Sequence, residues 1–530
     1  MYKKTIKTKS LQTLQNAYAV CNKAAALKTD DITAVYEAEV TKAQERRKFL
    51  GNMGKAAVAI GAASLYQACK PERTQPVVAI VGAGIAGLHA LHILRKAGYQ
   101  ATVYEASQRC GGRVFTVKEM MGPRLWTEMG AEFIDTNHED IHNLCKEFNL
   151  QLLDRDLDFS SGLTEYAYYF DNKHYSFKDL LQEMKPFRAQ MTKDVDALSD
   201  EIGFETFSKA DQQFDNISIM NYVDGVGVKG WMREMFDMAY TSEYGIDAAK
   251  QSAISMLSIF NPANEKKNDL FGPSDERFSV IGGNNQIAEN LEKLYKSNIQ
   301  FDHYLTAVSA NNSKQYVLSF KQAGGKVTDV VADYVIMTVP FSILREADIK
   351  IPLPTWKMNA IKNMSYGQST KIFLGVKERI WRNQGFAGYM FSNNGLQNGY
   401  DGTQMQGENK GRGGFTINLG GERSIAIGNR TPKDLEGEYL PLLDACYTGV
   451  KDVYSGVCQR WYWPGYALSK GSYTGFTVGQ YTTICGATAK PVDNMYFAGE
   501  HCSYEFQGFM NGAAKTGRDA AEAIITKLKA

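Results

Sequence analysis

Three glycines, Gly82, Gly84 and Gly87, close a run of small apolar residues (Val78-Ala79-Ile80-Val81), and an acid, Glu105, follows about 20 residues on. This spacing suits a dinucleotide. Gly82 permits a tight turn, and Gly84 removes a Cβ where a pyrophosphate would approach. Gly87 lets the next helix pack close on the strand, with its N-terminal amides and positive dipole end facing the phosphates. The pattern follows an apolar strand and opens a helix from Leu88 to Ala97, closed by Gly98. Glu105 ends a second strand, Gln100 to Tyr104, where a carboxylate can accept both ribose hydroxyls, and no adjacent arginine signals a 2′-phosphate.

Two further motifs extend the site. Arg109 and Gly111-Gly112-Arg113 come directly after the acid and can wrap a second turn around a pyrophosphate. Near the C-terminus, Asn494-Met495-Tyr496-Phe497-Ala498-Gly499-Glu500 reads as a short strand ending in Gly-Glu. Gly508-Phe509-Met510-Asn511-Gly512 then opens the last helix, a second anion-receptive N-terminus. With these three pieces in this order, the chain from about Val77 onward resembles the flavin-containing amine oxidase family, which includes monoamine, polyamine and L-amino-acid oxidases. The resemblance implies FAD. Glu105 would hold the adenosine ribose, Arg113 the pyrophosphate and Glu500 the ribitol and phosphate, while Gly508, Phe509 and Met510 pass beside the ring. It also implies that Ala86 and Gly499 belong to the cofactor site and that a strand carries Val308 towards the adenine.

The elements that must position these residues read as an α/β fold overall, a Rossmann-like FAD-binding domain with a mixed-sheet substrate domain and a helical insertion. Residues 76–140, 277–340 and 457–530 form a discontinuous cofactor domain. Residues 141–276 are mostly helical in pattern, with amphipathic stretches such as Lys178 to Ile202, and 341–456 form the substrate domain. Asp333 to Pro340 reads as a buried strand of the cofactor domain ending at a proline, and Thr370 to Val376 and Gly413 to Asn418 as strands of a substrate-facing sheet. The chain returns to the cofactor domain after Trp461.

Amine oxidation passes a hydride equivalent from the carbon beside nitrogen to the flavin, which oxygen then reoxidises. Such chemistry asks the protein for orientation and a dry aromatic slot, not for a catalytic triad. The resemblance places Trp461, Tyr466, Tyr473 and Phe509 beside the substrate and ring. Ser472 stands where mitochondrial monoamine oxidases attach flavin through cysteine, so the FAD is expected to be non-covalent. The stretch Ser369-Thr370-Lys371-Ile372-Phe373-Leu374, Trp381 and the Trp461 to Tyr466 spacing look most like L-amino-acid oxidases.

Two departures bear on substrate and oxidant. An amino acid needs its carboxylate paired, normally by a bidentate arginine. Venom-type oxidases carry one just after the Gly-Ala turn, but Gly130-Ala131-Glu132-Phe133-Ile134 offers Phe133 there. Arg124 and Arg345 are alternative cations by position. The family also places a lysine near the flavin, and the ungapped register past Pro340 offers Arg345 or Asp348, with Lys350 nearby. Tyr473 and Gly508 complete the expected substrate contacts. The leading expectation is oxidation of L-amino acids to 2-oxo acids, with release of ammonia and hydrogen peroxide. A primary amine oxidase is the alternative; a dehydrogenase passing electrons to a quinone, or a non-catalytic flavin-binding partner, ranks below both.

Composition agrees with a large enzyme. At 530 residues and 44% hydrophobic residues, the chain exceeds a single core. A net charge of +1 gives no support for a nucleic-acid partner, leaving a small-molecule amine or amino acid and molecular oxygen. Eight scattered cysteines without a C-x-x-C pair suggest neither a zinc site nor a disulfide framework, and no metal is expected. In the first 75 residues, Glu45-Arg46-Arg47-Lys48-Phe49-Leu50-Gly51 resembles a twin-arginine export motif, followed by an Ala/Gly-rich segment from Ala56 to Ala68. A periplasmic or secreted protein is expected. About 45 residues precede the arginines, and Leu11 to Ala43 reads as a polar helical pair broken near Thr29 to Asp31. Cleavage of a leader, retention of a helical extension on the oxidase or on a membrane surface, and homodimerisation all stay open.

Overall fold

A computed structural model describes residues 9–41, 76–159, 162–260 and 275–530. The twin-arginine-like stretch, the Ala56 to Ala68 segment and Cys69 lie outside them. Lys9–Ala26 forms α1, and a second helix spans 32–41. Val78–Val81 (β1) runs through a turn into Ile85–Lys96 (α2) and Ala101–Tyr104 (β2). Ile299–Gln300 (β3), Tyr334–Met337 (β4) and Met495–Phe497 (β5) complete a five-stranded sheet in the order β5-β4-β1-β2-β3. All its pairings are parallel, and β1 and β4 are buried throughout. Continuous apolar runs suit them, because a parallel sheet is covered on both faces. The last helix, Met510–Lys529 (α3), packs along α2 and joins the sequence's two ends at one sheet.

A second sheet of seven strands is mixed. It runs Tyr454–Tyr462, Ser369–Val376, Gly413–Gly420, Gln397–Asp401, Phe386–Ser392, Thr164–Phe170 and Lys173–Tyr175. Its pairs are antiparallel except Phe386–Ser392 with Thr164–Phe170. Two strands thus come from the segment read as helical. The run Tyr166-Ala167-Tyr168-Tyr169-Phe170 is aromatic-rich and favours a pleated surface over a helix. Leu152–Asp154 likewise pairs with Phe278–Val280. At the other edge, Tyr454–Tyr462 straddles residue 457, so this strand stays with the second sheet and the chain rejoins the first only at β5.

The helical layer lies behind the second sheet, and α1 belongs to it. Leu11, Leu14, Ala17, Tyr18, Val20, Cys21 and Ala24 are buried against Phe177–Met184, Arg188–Asp196 and Gly230–Tyr244. Tyr18 stacks edge-on against Phe260 and shares a 2.7 Å hydrogen bond with Thr192. The apparent polarity of this stretch reflects an amphipathic helix whose apolar stripe is spent on a core.

Candidate functional site

The turn after β1 takes its shape from two glycines. Gly82 has φ +106°, and a Cβ there would stand 2.7 Å from the Thr338 hydroxyl. A Cβ on Gly87 would stand 2.0 Å from the Gly82 carbonyl oxygen, so only glycine lets α2 begin this close to the strand. Gly87 is accordingly a packing residue. Gly82, Gly84 and Ala86 face one large cavity, and Gly84 has open space where a Cβ would go.

Glu105 also faces the cavity. Its carboxylate accepts the amides of Ala83 (2.7 Å) and Ser107 (2.8 Å), which fixes its direction and leaves lone pairs for a ligand's hydroxyls. The Gly111 amide donates to the Ala83 carbonyl at 2.8 Å, pinning the second loop onto the first. Arg109 serves that loop internally, bonding the carbonyls of Gly112, Cys110 and Val114. Arg113 instead reaches the cavity and pairs with Glu500 at 2.8 Å, a contact across 387 residues. Glu500 accepts in addition from the Thr474 hydroxyl (2.9 Å) and the Gly508 amide (2.9 Å). Gly499, Gly508, Phe509 and Met510 line the same space, so the three motifs make one cradle.

Beyond the cradle the cavity is walled by the second sheet. Phe133, Tyr389, Tyr400 and Tyr473 supply rings, with Phe133 and Tyr400 5.4 Å apart. Burial pushes the phenols of Tyr389, Tyr400 and Tyr473 far above the usual range, so they are neutral walls and donors, not bases. Lys371, read above only as part of a strand, lies in this wall. Its three donors meet the Glu128 carbonyl (3.1 Å), the Gly130 carbonyl (3.0 Å) and the Glu132 carboxylate (3.0 Å). Glu132 also accepts from the Tyr400 hydroxyl at 2.5 Å. This network ties the turn that carries Phe133 to the second sheet. The signal for Lys371 was available: a charge inside the otherwise uncharged strand Ser369–Val376, buried at every position, needs a partner.

Besides Gly87, five expected site residues lie away from the cavity. Lys350 is exposed and pairs with Asp348 at 3.1 Å, because it follows the short strand Asp348–Ile349 at the edge of a separate four-stranded sheet. Arg345 is held by the carbonyls of Phe341 (2.9 Å) and Met364 (2.8 Å), where a cation suits the end of the helix Phe341–Leu344. Arg124 stands on an exposed turn at φ +64°. Val308 is buried in a core: a bulge between Leu305 and Ala307 shifts the alternation, so Tyr304 and Leu305 face the cavity in its place. Trp461 packs on Phe115 and Trp463, 5.0 and 5.5 Å away, and Trp463 lines the cavity with its indole N–H on the Met129 carbonyl (3.0 Å). The strand ends at Tyr462, and the following turn swings Trp463 inward.

A parallel βαβ unit with a glycine turn, a terminal acid and a distant Gly-Glu strand closing over one cavity defines a dinucleotide-dependent oxidoreductase fold. The chain belongs to the flavin containing amine oxidoreductase family, whose model matches residues 85–525. The L-amino-acid oxidase of Sistrurus catenatus edwardsii is 25% identical over 479 residues, covering 84% of this chain and 86% of that protein. An L-amino-acid oxidase of Crotalus adamanteus is 25% identical over 474 residues, with 84% and 86% covered. Among solved structures, a putrescine oxidase bound to putrescine superposes with a TM-score of 0.71 at 21% identity, covering 85% of this chain and 99% of that one. The cyclohexylamine oxidase of Brevibacterium oxydans reaches 0.72 at 18% identity, covering 86% and 100%. These likenesses establish the fold. The cradle fits a flavin dinucleotide: its acid, its ion pair and its two helix N-termini all face the one cavity.

Proposed function

We propose that this protein is an L-amino-acid oxidase with non-covalent FAD, converting an amino acid, oxygen and water to a 2-oxo acid, ammonia and hydrogen peroxide. The observation that carries the reading is the single cavity that joins the Glu105, Arg113 and Glu500 cradle to the chamber of Phe133, Tyr400, Tyr473 and Lys371. Bound flavin supplies the two-electron acceptor. The chain supplies orientation and dryness: Phe133, Tyr400 and Tyr473 exclude water, while the Lys371, Glu132 and Tyr400 network holds the wall rigid. Ser472, on the cavity and 2.9 Å from the Ser369 hydroxyl, has no thiol with which to anchor flavin. The amino-acid reading draws on the venom relatives.

Phe133, in the register of their carboxylate-binding arginine, favours a second reading, a primary amine oxidase. Peroxide release by the holoenzyme with free L-amino acids against the corresponding decarboxylated amines separates them. Turnover confined to amines would sink the first reading. Precipitation with acid that leaves flavin in the supernatant supports non-covalent attachment. The reading also includes export on the Glu45 to Gly51 stretch with residues 9–41 retained, since α1 is part of a core. N-terminal mass spectrometry of the exported protein checks it, and a mature chain starting beyond residue 41 refutes retention.

A further inference from the structure

Asparagine is uncommon inside strands, yet Asn398 and Asn418 stand directly opposite each other on two inner strands of the seven-stranded sheet, Gln397–Asp401 and Gly413–Gly420. Lys371 lies opposite Asn418 on the next strand. Residues opposite one another in an antiparallel pair share a face, so the three form one row across the sheet, and all three line the cavity. Lys371 is committed to Glu132. The two amides are not so committed. Asn398 is 6% exposed, and its side-chain amide has no hydrogen-bond partner among the described residues. Asn418 makes one long contact, from Nδ2 to the Ser242 carbonyl at 3.5 Å, which leaves its Oδ1 unused among the described residues. Burying a primary amide with donor and acceptor both unmet is costly, and a partner for one that faces a cavity must come from the cavity.

The charges around this row oppose one another. Lys371 answers Glu132, and on the Tyr389 phenol Glu276 and Arg155, which lies against the Phe133 ring, act in opposite directions. What remains is a pair of neutral groups that can both donate and accept. We propose that Asn398 and Asn418 select the substrate's side chain, receiving an uncharged carboxamide at its distal end. Asn398 donates from Nδ2 to the carboxamide oxygen and accepts one of its N–H groups at Oδ1, while Asn418 Oδ1 accepts the other. A carboxylate brings no hydrogen for these carbonyl oxygens, and an ammonium offers no acceptor for the Asn398 N–H. An apolar side chain leaves both amides unmet. The inference rests on the oxidase reading above, and it holds for an amino acid or a primary amine alike.

The test measures peroxide release by wild-type, Asn398→Leu and Asn398→Asp holoenzymes. The panel sets L-asparagine and L-glutamine against L-leucine and L-methionine, whose side chains are of similar size, and adds L-glutamate, L-lysine and the decarboxylated amine of each. In wild type, kcat/KM for the carboxamides should exceed that for their apolar counterparts at least about 10-fold. Asn398→Leu should erase that ratio while the leucine and methionine values hold or improve. Its Tm should hold or rise, since an unmet buried amide is replaced by an apolar chain of similar volume. Asn398→Asp keeps the shape but exchanges the N–H for a charge, so its preference should move towards L-lysine; this keeps the assignment testable if the leucine variant does not fold. A wild-type preference for the apolar or the charged substrates would overturn the proposal, as would an unchanged ratio in both variants. Equal losses across the panel, with a lowered Tm, would mark a structural residue and overturn it too. Carboxamide preference among amines alone sinks the amino-acid reading and leaves this one standing. A wild-type holoenzyme that oxidises nothing in the panel overturns both.

Discussion

Glu500 and Glu128 show how single carboxylates hold this site. Glu500 gathers Arg113, Thr474 and the Gly508 amide at one point, so Glu500→Ala should leave Arg113 without its carboxylate. The cost is about 2 kcal/mol, reduced because Arg113 is partly solvated. Flavin content, read from the 450 to 280 nm absorbance ratio of the purified protein, should fall well below wild type. Glu128 is a different case. It accepts from the Asn284 amide and the Thr116 hydroxyl, both at 2.8 Å, but burial outweighs these bonds and pushes its carboxyl up to about 8. Folded protein therefore keeps a proton that the unfolded chain gives up above 4.5. The associated stability is fully present below 4.5 and is lost as pH rises to about 8. Calorimetric Tm should fall across that window in wild type and follow a flatter course in Glu128→Gln. The Gly-Glu strand marked Glu500 for the cofactor site in sequence, but not its ion pair with Arg113, and nothing marked Glu128, because an isolated glutamate carries no record of what will surround it.

At the scale of elements, the turn from β1 into α2 separates packing from binding. Gly87→Ala drives a Cβ into the Gly82 carbonyl and should cost about 3 kcal/mol, lowering the Tm of apoprotein and holoprotein alike. Gly84→Ala meets nothing within 4 Å and should leave the apoprotein Tm unchanged while weakening flavin retention. Thermal scans with and without added FAD distinguish the two; equal losses in the apoproteins would contradict the division of labour. The β1-α2-β2 unit was legible because glycine spacing and a continuous apolar run are local properties. Thr164–Phe170 was not legible, since only the short strand Lys173–Tyr175 beside it in sequence pairs with it, and the partner that builds it into the sheet, Phe386–Ser392, lies more than 200 residues away. Val308 and Trp461 were misplaced by short-range irregularities, a bulge and a strand end, that reverse which side chain faces inward.

At the scale of the whole molecule, α1 closes the helical core although the cofactor domain begins some fifty residues after it. Deleting residues 1–31 exposes Met, Tyr and Leu side chains of three other helices. It should destabilise the protein by about 5 kcal/mol or more, seen as a lowered urea midpoint or as insolubility. An unchanged midpoint would show that the helix is dispensable. The sequence by itself determined the class of cofactor, the order of its three motifs and the parallel unit that bears them. Those depend on glycine geometry, helix dipoles and charge types, which travel with the residues. Only the tertiary structure decided which charges meet. It joined Lys371 to Glu132, sent Lys350 and Arg345 to other tasks, and buried Arg155 beside Phe133. The physical reason is that a buried charge is governed by the partners within about 4 Å of it, and here those partners come from distant parts of the chain.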